Sequence, residues 1–295
     1  MIEAGNDRGA IEIVAGPERR VHVGNIATLA RKEIRDSLRN RWFIFYSVAF
    51  AVLASALSYL SLAGTGTFGF AGYGRTSASL INLVILIVPL MGLTAGAGSI
   101  AAERENRTLA YLLAQPINRF ELLAGKYVGL ALALIAALAI GFGASALLIA
   151  FRQHVGVADF ARLVGHACVL ALAMLSVGIL ISTIARKGGA ALGAAIVLWL
   201  VLVFLGDLGL MGSTLVFKLQ VADLFQLSLL NPLQVFKMSA LGSIHASLDV
   251  LGPAGLYATQ TYGSALGWIF GGALTAWTVL PLAAAFLVFT LRGDV

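Results

Sequence analysis

Few residues in this chain have types and spacings that could do chemistry, and most of the spacings argue against it. Copper(I) paths use soft ligands, yet Met91, Met174, Met211 and Met238 are scattered, and Cys168, the single cysteine, has no methionine or histidine three or four positions away. His166 and Cys168 are two apart and so fall on different helix faces. The pattern predicts core-filling methionines and a buried thiol, with no metal held by the chain. One cysteine also excludes a disulfide framework and a paired-thiol motif. His166 lies close to the end of an apolar run, where a lone imidazole packs or faces the interface rather than relaying protons. The segment "LLAGKY" at 122–127 has the Gly-Lys pair of a phosphate-binding loop, without the upstream glycine or the following hydroxyl. No catalytic residue and no cofactor bound by the chain are expected, so any energy must come from outside.

The remaining polar group is "ERENRTLAYLLAQPINRFELLAGKY", Glu103 to Tyr127, between two apolar runs. Within it Leu109, Leu112 and Leu113 fall at i, i+3 and i+4, one face of a short helix. Thr108 is placed to cap its start and Pro116 to stop it. The apolar face has no obvious partner in the chain, and Glu103, Arg104, Glu105 and Arg119 would supply a charged docking rim. A knob of this kind suits another protein. The alternative is an ordinary basic loop whose leucines tuck under the bundle, and spacing alone does not choose between them.

Positioning such a loop requires a bilayer. The 295 residues are 59% hydrophobic and only 12% charged, with mean hydropathy +0.92, outside the range of soluble domains. Runs near 43–63, 78–102, 127–151, 163–185, 189–206 and 264–291 predict six membrane spans of an all-α protein. None carries Asp, Glu, Lys or Arg away from its ends, as an ion-coupled carrier normally would. Fifteen of the 20 Lys and Arg fall in the N-terminal tail, the 103–126 loop, Arg186/Lys187 and Arg292. The positive-inside rule therefore predicts a multi-pass protein of the cytoplasmic (inner) membrane with both termini cytoplasmic. The net charge of +6 follows from this topology, not from nucleic-acid binding.

About forty polar residues precede the first run, too many for a cleavable signal peptide, so the first span is expected to stay. Residues 1–24 read as a loose cytoplasmic tail. In 25–42, Ile26, Leu29, Ala30, Ile34 and Leu38 recur at helical spacing, and Arg31, Lys32, Arg35 and Arg39 take other faces. Trp42 and Tyr46 at the span entrance favour a helix lying in the interface over a solvated basic one. Residues 43–295 form the permeation domain, with the polar loop at 103–126 and a long extracytoplasmic segment at 207–263. There Asn231 and Pro232 predict a helix start, with an end near Gly242, and a second apolar helix before it. Leu233, Phe236 and Lys237 are candidate contacts for an outside partner, or they simply roof the bundle. Glycine pairs at 92/96, 125/129 and 189/193 and the ridge 263/267/271 suit close helix packing in lipid. Pro89 should kink the second span.

The pattern E-R-E-x-x-T-L-x-x-L-L-x-x-P-x-x-R followed by G-K, from Glu103 to Lys126, resembles the signature of ABC-2 type permeases, the membrane subunits of one class of ATP-binding-cassette transporter. The resemblance covers nearly all the chain beyond the tail. It implies a type V exporter-like fold, with the charged segment docked on a separate ABC ATPase that holds ATP and Mg. Within the family, "ARKEIRDSLRNRWF" at 30–43 and "LLNPLQVFKMSALG" at 229–242 are similar to NosY-type permeases of nitrous-oxide-reductase maturation systems. That likeness implies a homodimer and a periplasmic beta-helical accessory partner. Other family members export lipid, glycan, peptide or drug. A membrane assembly scaffold that transports nothing remains a further alternative.

Overall fold

The computed structural model describes residues 21–63, 70–150, 157–216, 221–243 and 253–291, and these are helical throughout with short connections. In chain order the helices are α1 (Val23–Arg39), α2 (Arg41–Ala63), α3 (Phe70–Glu105), α4 (Thr108–Ala114), α5 (Arg119–Ala150), α6 (Val157–Ile184), α7 (Gly188–Val216), α8 (Val221–Leu229), α9 (Pro232–Ser243), α10 (Pro253–Tyr262) and α11 (Leu266–Leu291). Among the described residues, α2, α3, α5, α6 and α11 each contain a stretch long and apolar enough to cross a membrane, and Gly188–Phe204 of α7 is a shorter apolar helix. The protein is a multi-pass, all-helical membrane protein.

Two close crossings organise the bundle. At the first, Gly92 and Gly96 of α3 meet α6: a Cβ at Gly96 would lie 2.6 Å from the backbone oxygen of Leu175. At the second, Gly125 and Gly129 of α5 admit α1, and a Cβ at Gly129 would lie 2.6 Å from the Ala30 oxygen. Small residues let backbones approach where lipid offers no hydrophobic drive between helices. The other spaced glycines are not used this way: a Cβ at Gly189, Gly193, Gly263, Gly267 or Gly271 would meet nothing within 4 Å among the described residues. Pro89 and Pro281 both lie inside continuous helices.

The elbow between α1 and α2 is a single residue. Asn40 leaves the helical region, and its side-chain oxygen accepts the N–H of Trp42 at 3.0 Å, capping α2. At the start of α2 Trp42 stacks on Tyr46, and Phe45 meets both rings edge-on. The buried stripe of α1 is Leu29, Ala30, Glu33 and Ser37, while Leu38 is 63% exposed. The expected apolar face is thus rotated, because Lys126 draws Glu33 inward.

On the opposite end of the bundle, α9 does not lie as a roof. Leu233 and Phe236 are buried in the core with α3 and α6, which corrects their assignment as outside contacts. Asn231 explains the insertion: its Oδ1 accepts the Leu233 N–H at 3.0 Å, and its amide donates to the Leu202 oxygen of α7 at 2.7 Å. Pro232 follows at the first helical position, where a missing N–H costs least. Lys237 is half-buried and has bonding partners of its own.

Candidate functional site

The charged loop is a junction. Its first three residues end α3, and each binds a different part of the chain. Glu103 accepts from Lys126 of α5 at 2.8 Å and from Lys32 of α1 at 3.3 Å. Arg104 donates to the backbone oxygens of Ala185 and Thr183, at 2.6 and 3.3 Å, closing the C-terminus of α6. Glu105 accepts the N–H of Gly188 at 2.8 Å, closing the N-terminus of α7. A cation at a helix C-terminus and an anion at an N-terminus both match the helix dipole.

Lys126 is a buried charge on α5. It is 2% exposed, and its ammonium donates to Glu33 at 2.7 Å and to the Ser99 oxygen at 3.2 Å besides pairing with Glu103. One ammonium therefore serves two carboxylates on two other helices. Glu103 keeps its second oxygen buried with no hydrogen-bond partner among the described residues. Sequence reasoning placed Lys126 at the edge of a span and missed Glu33; the Gly125-Lys126-x-x-Gly129 spacing was the available signal, since the glycines bring α1 to the lysine.

Two further contacts tie the loop to the chain ends. Glu121 is buried and accepts N–H groups from Asn118 and His22 and the amide of Asn25, so one carboxylate holds the starts of α5 and α1 together. Arg119 donates to the backbone oxygens of Phe289 and Thr290 at 3.2 and 3.3 Å, at the end of α11. Glu103, Arg104, Glu105 and Arg119 thus bond within the chain and are not left as a free rim.

The knob itself is α4. Arg107 precedes it in the left-handed region, at φ 59, and makes no side-chain cap. Thr108 is the first helical residue, not the cap, and its hydroxyl donates to the Glu103 oxygen at 3.2 Å. The helix ends at Ala114, two residues before Pro116, as the restriction on residues preceding proline requires. Leu109 is 3% exposed, and Leu112 and Leu113 pack half-buried on the same core cluster. The expectation that this face lacks a partner in the chain is therefore corrected: it seats α4 on its own bundle. What α4 turns outward is Tyr111, 71% exposed, with Ala110 and Ala114 exposed beside it. Tyr111 went unnoticed in the sequence because attention followed the leucines; it sits two positions from Leu109, on another face.

Met91, Met174 and Met238 are buried at separate core positions, and Cys168 is half-buried. His166 bonds the Arg162 backbone oxygen through Nδ1 at 2.7 Å.

A family model described as "ABC-2 family transporter protein" matches residues 27–293. The chain belongs to the ABC-2 transporter family. It is 32% identical over 278 residues to "Probable ABC transporter permease protein NosY" of Stutzerimonas stutzeri, covering 92% of this chain and 99% of that protein. The protein of the same name in Pseudomonas aeruginosa is 33% identical over 272 residues, covering 90% and 98%. As an ABC-2 permease, the chain is a non-catalytic transmembrane subunit, similar to NosY, and the charged junction falls within the residues that the family model matches.

Proposed function

We propose that the chain is the six-span permease subunit of an ABC exporter of the cytoplasmic membrane, working as a homodimer under a separate ATPase that docks on α4. The carrying observation is the junction: α4 presents Tyr111 outward, while the last three residues of α3, two positions before it, bind α1, α5, α6 and α7. Displacing α4 therefore loads four helices at once. Its leucines fasten the knob to the bundle, and Arg119 extends the same base to α11. The ATPase would hold ATP and Mg, and this chain would supply only the mechanical path. For the sixth span, α7 has 29 residues, about 43 Å at 1.5 Å per residue, longer than the roughly 30 Å hydrocarbon core. Loop charge supports a cytoplasmic α4 and cytoplasmic termini.

Similarity to NosY permeases over more than nine-tenths of the chain supports the narrower reading: the work is delivered to a periplasmic beta-helical partner in maturation of a copper enzyme, nitrous oxide reductase. The wide separation of the buried methionines favours force transmission, or movement of a non-metal species, over conduction of copper by this chain.

The test is the reconstituted permease–ATPase complex carrying a spin label at Gly193 of each copy. ATP should shift the label–label distance, and Tyr111→Ala should suppress the shift. An ATPase that binds while the distance and the hydrolysis rate stay constant would make the chain a scaffold. Topology is checked in a Cys168→Ala background with single cysteines at Gln115 and Gly242. An impermeant thiol reagent outside the cell should reach position 242 alone.

A further inference from the structure

We propose that the cavity beside Lys126 binds a phospholipid whose head ends in a primary ammonium. The cavity has a volume of about 530 Å³ and lies between α1, α2, α3, α5 and α7. Its size falls within the about 300–1,000 Å³ of small-molecule sites. It has two chemically distinct ends. Lys32, Glu33, Asp36, Glu103 and Lys126 form one, while Phe43, Tyr46, Met91, Leu130, Leu192 and Ile196 line the other. An occupant must therefore be an amphiphile.

Depth and charge identify which. Asn40 and Trp42 also line the cavity, placing it at the α1–α2 elbow. There Trp42, Phe45 and Tyr46 cluster in the manner of an interfacial aromatic belt, so the polar end sits at headgroup level. Three carboxylates face two ammoniums, leaving an excess of one negative charge. Both lysines are already engaged: Lys126 with Glu33 and Glu103, and Lys32 with Glu33, Asp36 and Glu103. Lys126 is buried in short pairs, and half-exposed Lys32 is shared among three carboxylates, so the balance inside disfavours an anionic head. Asp36 is 54% exposed, and its one ion pair is the 3.5 Å contact with Lys32. A primary ammonium brings three N–H donors and one positive charge, which answers both the excess and the spare oxygens. A quaternary ammonium has the charge without the donors. The lipid phosphate would then stay at the mouth, where the elbow carries exposed Arg39 and Arg41, and the acyl chains would follow the apolar walls.

The experiment uses the full-length permease purified in mild detergent, with bound lipids read by native mass spectrometry. Equal amounts of phosphatidylethanolamine, phosphatidylcholine and phosphatidylglycerol are supplied. Wild type should retain phosphatidylethanolamine at least fivefold over either competitor. Asp36→Asn, on an exposed side chain, should keep the lipid-free melting temperature and lose most of that preference. Ala95→Trp, which fills the cavity from α3, should abolish retention. Asp36→Lys replaces it if the tryptophan variant does not fold. Equal retention of the three lipids would overturn the proposal, as would an unchanged preference in both Asp36 variants. So would a wild type that retains no lipid together with an Ala95→Trp variant that no longer self-associates, because the cavity would then belong to a second copy of the chain.

Discussion

The Lys126 ammonium lies 2.7 Å from the Glu33 carboxylate, 93 residues earlier in the chain. Both side chains are buried, and Glu103 completes the group from the other side. Removing one partner of such a set leaves an uncompensated charge, at a cost of about 3–5 kcal/mol. Lys126→Met leaves two carboxylates with only the longer pairs to half-exposed Lys32, whereas Glu33→Gln leaves Lys126 with Glu103. The expected order of melting temperatures in detergent is wild type above Glu33→Gln, and Glu33→Gln above Lys126→Met. Equal melting of the two variants would show that Lys126 does not bridge them.

Separate faces of α4 should give separate phenotypes. Leu109→Ala empties a core position and should destabilise the isolated permease by about 2–5 kcal/mol. Tyr111→Ala should leave its melting temperature unchanged and weaken ATPase affinity at least tenfold. Titration of the ATPase beside thermal unfolding separates the two. The docking model fails if Tyr111→Ala binds the ATPase at full strength.

Glu105→Ala removes a cap from α7, which should cost about 0.5–2 kcal/mol. Arg104→Ala removes the single Nη1 group that donates to both Ala185 and Thr183. Hydrogen exchange should rise at the α6–α7 turn in both variants and stay as in wild type at the α8–α9 end.

At the α3–α6 crossing, Gly96→Val should prevent assembly, because the first added atom would lie 2.6 Å from a backbone oxygen. Gly193→Val, with nothing within 4 Å, should be tolerated within about 0.5 kcal/mol. Expression and monodispersity in detergent check the pair.

Burial works against the charge on Lys32, but the carboxylates of Glu33, Glu103 and Asp36 outweigh it and hold the ammonium above its ordinary value of 10.5. A raised folded value means that its stabilisation is fully present below pH 10.5 and is lost as pH climbs through the folded value. Alkaline melting curves should show this loss in wild type and not in Lys32→Met.

Much of this architecture was legible because its cause is local. Apolar run length marked the spans of α2, α3, α5, α6 and α11, and Asn231-Pro232 marked the start of α9. The misreadings share one cause: their partners are distant in sequence and carry no side-chain signature. Arg104 bonds backbone oxygens some 80 positions later, and helix-end carbonyls look alike in any sequence. Leu109, Leu233 and Phe236 were read as available because adjacent charges and polar residues suggested a surface. The core that covers them comes from other helices. Glu33 gave no signal of its own, since its partner lies on a helix two spans away.

Arg119 clasps the end of α11, 170 residues downstream. Synthesis runs from N- to C-terminus, so this clasp cannot close until the last span has been threaded. A ribosome-bound chain ending before Phe289 would carry α4 on an unfinished footing. On the docking model proposed above, the platform would then be complete only once the last span is in place.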